Sequence, residues 1–365
     1  MRCIVTKKLM YGTHAIGEAA ISAGCTCYFG YPITPQNELP EYMAQRLAEV
    51  KDGVFIQAES ELAAINMVLG ASVAGARAMT SSSSPGISLK QEGISFLAGS
   101  ELPAVIVNIM RGGPGLGNIA PAQSDYFQAT RGGGHGDYRL VVYAPASVQE
   151  MADLTVRAFD VADEYRTPVM ILGDGMLGQM MEPVTIPKPR KGKKKPEKDY
   201  ILTGAKGRPA RLVKSLILDT KEMEEHNWKL YRKFQRIEER ETLWESYMLD
   251  DAEMVVIAYG TAARIARGAI NRLRREDTNL RVGLIRPITV SPFPAKAIRE
   301  AAKKAKDFFV FEMSTGQMVD DVRLALEGQG TIHFYGRPGG VVPSARELAR
   351  SIARRYYQSI RKRKQ

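Results

Sequence analysis

Cysteine is almost absent: the 365 residues hold three, Cys3, Cys25 and Cys27. So small and odd a set excludes a disulfide framework. The Cys25-Thr26-Cys27 spacing, with no further pair, completes no four-thiolate metal or iron–sulfur site. All three are expected as free thiols. Long apolar runs are missing too: nothing approaches the roughly 18 residues of a membrane span. The opening MRCIVTKKLMYG lacks the apolar stretch and small-residue cleavage site of a secretory leader. The chain reads as cytoplasmic, with no membrane partner.

Acidic residues are in deficit, 40 Asp and Glu against 51 Lys and Arg, for a net charge of +11. Residues 188–214 alone hold eleven Lys/Arg and two acids, a local +9, so the rest of the chain carries only +2. This Pro-, Gly- and Lys-rich stretch reads as an exposed loop. No recognition motif or stacking aromatics accompany it, which argues against a nucleic-acid partner. Local positive charge suits docking of an acidic protein instead.

Short β-prone apolar runs alternate with amphipathic helical patterns from start to finish. Strands are expected at 27–31, 53–57, 76–81, 103–110, 140–144 and 168–174, with helices over 12–24, 36–48, 61–75, 85–99 and 147–164. Continuous rather than alternating apolarity predicts strands buried on both faces, hence a parallel sheet between helical layers. This first three-layer α/β domain is expected over 1–186. A basic loop and a charged helix, 220–248, fill 187–249. The rhythm then resumes over 250–365 with EMVVIAYG, RVGLIRPI, DFFVFEM and TIHFYG. The fold class is therefore α/β, two three-layer domains with mainly parallel sheets.

In such sheets ligands sit beyond the carboxyl ends of the strands. Four successive strand-end loops are rich in small, polar and glycine residues: GYPITPQNE, AESE, SSSSPG and RGGPGLGN. Thr34, held between two prolines, is either a fixed hydrogen-bonding hydroxyl or the N-cap of the helix that follows. Arg111 ends a buried strand before glycines, placed to bind a carboxylate or simply to face solvent from a mobile loop. Glu59 and Glu61 can compensate a helix dipole or do chemistry, and pattern alone does not choose. Gly112–Gly117 matches neither a Walker loop nor a dinucleotide fingerprint. GDGMLGQMM, at 173–181, begins like a diphosphate and Mg²⁺ motif, but no Asn follows at the required distance, so it reads as a structural turn. His135, between glycines, is a pocket acid–base group or a plain loop residue. No nucleophile elbow is present.

Taken together, GYPITPQNE and QAESELAAINMVLGASVAGARAMTSSSSPGISLKQEGISFLAGSELPAVIVNIMRGGPGLGN resemble the 2-oxoacid:ferredoxin oxidoreductases. The likeness covers nearly the whole chain and is to the subunit with the pyrimidine-type thiamine diphosphate-binding domain and a transketolase C-terminal-like domain. SSSSPGISLKQEGIS and GHGDYRL are most similar to the branched-chain, 2-oxoisovalerate type, with the 2-oxoglutarate type as the alternative. The resemblance implies that Glu61, nine residues before Gly70, hydrogen-bonds the aminopyrimidine ring. It further implies that Tyr31, Pro32, Ile33, Ser84 and Gly86 contact the cofactor, and that Thr34 and Arg111 bind the 2-oxoacid. Thiamine diphosphate would be shared with a β-type subunit, while Mg²⁺ and the [4Fe–4S] clusters would lie on partner chains. Partners would include γ-type and ferredoxin-like subunits, with CoA, the 2-oxoacid and soluble ferredoxin as reactants. No metal ligand is expected among this chain's own residues. A chain that kept the fold but lost the cofactor, a non-catalytic scaffold, is the reading from another class.

Overall fold

The structure is a computed structural model describing residues 7–188 and 198–364; Cys3 and nine residues of the basic stretch lie outside the described residues. Fourteen strands are described: β1 Lys8–Tyr11, β2 Cys27–Gly30, β3 Val54–Gln57, β4 Ala78–Ser82, β5 Ala104–Met110, β6 Val141–Tyr143, β7 Pro168–Asp174, β8 Met181–Val184, β9 Trp244–Tyr247, β10 Met254–Ile257, β11 Val282–Pro287, β12 Thr289–Ser291, β13 Asp307–Glu312 and β14 Thr331–Gly336. They form a seven-stranded sheet, β12-β6-β7-β5-β4-β2-β3, and a five-stranded sheet, β14-β13-β10-β11-β9. β1 and β8 make an antiparallel ribbon. Both large sheets are parallel except for one antiparallel edge strand each, β12 and β9. No helix among the described residues is long and apolar enough to cross a membrane.

The apolar runs explain the layering. β5 and β7 are buried along their full lengths and pair in register from Ala104–Pro168 to Met110–Asp174. Helices Gly12–Ser22, Glu38–Leu47 and Val148–Tyr165 pack one face of the first sheet. Helices Glu61–Val73 and Ser84–Gly99 pack the other, in an apolar cluster that continues into the second sheet through Val255, Ile257, Phe308 and Val310. The helix after β2 therefore lies on one face and the helix after its neighbour β4 on the opposite face. That divergence opens a crevice at the carboxyl ends of the strands, where open α/β sheets take their ligands.

Three features depart from the sequence reading. β3 is not buried on both faces: as the edge of its sheet it leaves Val54 and Ile56 38% and 41% exposed. The charged helix stops at Glu241, and Trp244–Tyr247, rich in aromatic side chains that suit a pleated sheet, becomes β9. The basic stretch is exposed over residues 202–207, as expected of a loop, but it is anchored over residues 198–202. Tyr200 is buried beneath the guanidinium of Arg166, Lys198 pairs with Asp163 at 3.1 Å, and the Leu202 amide donates to Val73.

Candidate active site

Ser60 is extended and caps helix Glu61–Val73 by accepting from the Ala63 amide at 3.2 Å. Capping fixes Glu61 as the first helical residue and turns its side chain inward. Glu61 is 5% exposed, whereas Glu59, two residues earlier, lies at the surface. Among the described residues no group donates a hydrogen bond to the Glu61 carboxylate. Gly86 comes against it: a Cβ added there would lie 2.5 Å from Glu61 Oε1 and 2.0 Å from Ser82 Oγ. Glycine is therefore a requirement of close approach at this position.

Two residues before Gly86, Ser84 joins Glu61's neighbourhood to Arg111. Its hydroxyl accepts from the Arg111 amide at 3.0 Å and donates to Asp125 Oδ2 at 2.6 Å. Asn108 Nδ2 donates to the same carboxylate oxygen at 2.9 Å. Burial pushes the Asp125 carboxyl up, opposed by these bonds and by the Arg111 charge. Arg111 is buried rather than facing solvent, and it donates to the main-chain carbonyls of Thr34 at 2.9 Å and Leu116 at 3.0 Å. The Thr34 hydroxyl accepts from Asn37 Nδ2 at 3.4 Å, so it is not the N-cap of the following helix, which begins at Glu38 after Asn37. Within the same loop, Gln36 holds the carbonyls of Tyr31 and Ile33, with Pro32 at the surface.

The crevice thus gathers Thr34, Glu61, Ser84, Gly86 and Arg111 at one sheet edge. Ser82 Oγ, Ser83 Oγ, Asn108 Oδ1 and Arg111 Nε are buried there without a hydrogen-bond partner among the described residues. Buried polar atoms are normally satisfied, so this group of donors and acceptors fits a polar ligand with both an amine-bearing ring and an anionic group. The glycine cradle beside a buried carboxylate fits the flat face of a ring. One other motif is spent on structure. Asp174 caps helix Gly175–Gln179, accepting from the amides of Met176 and Leu177 at 3.0 and 3.2 Å. His135 lies exposed on its glycine loop. Sequence reading missed Lys90, Asn108 and Asp125. Lys90 alone left a signal, as a cation at an apolar helical position.

Comparison with known proteins gives two family matches. Residues 18–248 match "Pyruvate flavodoxin/ferredoxin oxidoreductase, thiamine diP-bdg" and residues 252–348 match "Pyruvate:ferredoxin oxidoreductase core domain II". The ketoisovalerate oxidoreductase subunit VorB of Methanothermobacter thermautotrophicus is 51% identical over 345 residues, 94% of this chain and 97% of that one. The 2-oxoglutarate synthase subunit KorA of the same organism is 36% identical, covering 93% of this chain and 96% of its own. Among solved structures, the 2-oxoglutarate:ferredoxin oxidoreductase of Magnetococcus marinus, with 2-oxoglutarate, coenzyme A and succinyl-CoA bound, superposes with a TM-score of 0.83 at 26% identity. That superposition covers 95% of this chain, which spans 65% of the longer Magnetococcus chain. A split-gene transketolase, at 13% identity and a TM-score of 0.56, shares the fold. On the family matches and these identities, the chain belongs to the 2-oxoacid:ferredoxin oxidoreductases, as one of their subunits.

Proposed function

We propose that this chain is the pyrimidine-domain subunit of a cytoplasmic complex that converts a branched-chain 2-oxoacid, 2-oxoisovalerate, and CoA into acyl-CoA and CO₂ while reducing ferredoxin. The observation that carries the reading is Glu61: a buried carboxylate with no donor among the described residues, set beside Gly86 at an edge where four buried polar atoms have no partner among those residues either. Thiamine diphosphate bound there would supply the carbon nucleophile for the 2-oxo carbon and the sink for the electron pair left by CO₂. Glu61 would share a proton with the ring nitrogen, an interaction strengthened by the dry surroundings. Arg111, whose Nε is unpaired, would take the 2-oxoacid carboxylate, with Thr34 fixing its orientation. Tyr31, Pro32, Ile33, Ser84 and Gly86 would line the cofactor. The diphosphate with its Mg²⁺, and the iron–sulfur clusters, would belong to partner subunits. The substrate assignment is supported by the greater identity to ketoisovalerate subunits, 51% and 50%, than to 2-oxoglutarate subunits, 36–39%.

The test is purification of the chain with its partners and comparison of rates on 2-oxoisovalerate, 2-oxoglutarate and pyruvate. The branched substrate should be fastest, and Glu61→Gln should lower turnover about a hundredfold or more. A preference for 2-oxoglutarate would reassign the substrate. Wild-type turnover in the Glu61 variant would remove the catalytic reading and leave a scaffold.

A further inference from the structure

A buried cation is costly unless something in the site calls for it. Lys90 is fully buried on helix Ser84–Gly99, and its Nζ donates to the main-chain carbonyl of Glu61 at 3.2 Å. That carbonyl opens a helix whose i→i+4 ladder already provides it a donor. Backbone satisfaction therefore does not require an ammonium here. Gly86 and Lys90 are four residues apart and share one helix face. The first abuts the Glu61 carboxylate and the second holds the Glu61 main chain.

The charges around Lys90 are few. Helix Glu61–Val73 carries no titratable residue besides Glu61, and β5 carries none. β7 has only Asp174, at its far end, committed to a helix cap. On its own helix Glu92 is exposed. Asp125 and Arg111 meet the helix start through Ser84, and His226 meets its end at Gly99. The loop over Gln91 brings exposed His135 and Asp137, and Tyr138. Burial pushes the Lys90 ammonium down to about 7, and Glu61 is the charge that opposes this.

We propose that Lys90 is a positioning residue of the reaction, holding through the Glu61 main-chain carbonyl the place at which the Glu61 carboxylate meets the cofactor's ring nitrogen. The inference rests on the assignment of Glu61 to the cofactor made above. Lys90→Met in the assembled complex should lower kcat about tenfold, with KM for the 2-oxoacid within about twofold. Lys90→Gln keeps a donor for the carbonyl and should recover most of that loss. A second readout is independent of turnover. Calorimetric titration of the apo complex with thiamine diphosphate should show affinity weakened about tenfold in Lys90→Met and close to the unsubstituted complex in Lys90→Gln. Variants that assemble with turnover and affinity unchanged overturn the inference, as does failure of both variants to fold, which would make Lys90 purely structural. Unchanged Lys90 variants beside an inactive Glu61→Gln complex overturn only the role of Lys90. Full turnover in Glu61→Gln overturns the assignment beneath it.

Discussion

Two glutamates two residues apart have different surroundings, and the difference comes from one cap. Ser60 starts the helix at Glu61, so Glu61 points into the crevice and Glu59 stays outside. The i+25 neighbour of Glu61 must then be glycine. Gly86→Ala would push a methyl group to within 2.5 Å of Glu61 Oε1. Overpacking of this kind costs about 1–3 kcal/mol, and here the group displaced is the carboxylate itself. The expected outcome is a fall in thiamine diphosphate affinity of about tenfold or more, measured calorimetrically, with a drop in melting temperature. Unchanged affinity would show that Gly86 does not border the cofactor. The acid–glycine pair was visible in sequence as two separate motifs. Their contact was not, because it depends on helices Glu61–Val73 and Ser84–Gly99 lying side by side on one face.

At the scale of elements, the long helix Thr220–Glu241 is held to the first sheet's helical layer by charge as well as by its apolar stripe. Glu101 receives Lys233 Nζ at 3.0 Å and also pairs with Lys229. Burial alone would push the Glu101 carboxyl up, but Lys233 and Lys229 outweigh it and hold the group at about 2. A carboxyl depressed in the folded state stabilises fully above its unfolded value of about 4.3 and loses that contribution as pH falls through it toward the folded value. Helix docking should therefore weaken between about pH 4 and pH 2. Glu101→Gln should cost about 2 kcal/mol at pH 7 and flatten the acid dependence between about pH 4 and pH 2, read by denaturant unfolding. An identical pH dependence in the variant would contradict this. The helix itself was legible in its period; its end was not, since β9 is defined by pairing with β11, which lies about forty residues downstream.

At the scale of the whole molecule, the two sheets are interlocked. β12, from the later part of the chain, pairs antiparallel with β6 of the first sheet. Arg286 on β11 binds Glu150 of the first sheet's helical layer at 2.6 and 2.9 Å, and Glu245 of β9 at 2.8 Å. Gln123, fully buried just before Asp125, exchanges bonds with Met313 and donates to the Tyr259 carbonyl at 2.9 Å. The loop that carries Asp125 is thus fastened to the second sheet. Gln123→Leu would leave the Met313 amide buried and unpaired, while the Tyr259 carbonyl keeps the Ala263 amide at 3.1 Å, at a cost of about 2 kcal/mol. The measurement is a denaturation midpoint together with turnover of the assembled complex. Loss of stability with full turnover would mean that the fastening does not reach the site.

Sequence alone determined the strand and helix rhythm, the edge at which the loops gather, and, through family resemblance, the role expected of Glu61. These are local properties, read from apolar period, turn residues and the spacing within one segment. Tertiary structure decided what depends on distant segments meeting: the exposed edge position of β3, the crossing of β12 into the first sheet, the anchoring of Arg111 to Thr34, and the burial of Lys90 beneath Glu61. A side chain's charge environment is set by the elements packed around it. No spacing along the chain records that Lys90 and Glu61, 29 residues apart, share one dry pocket.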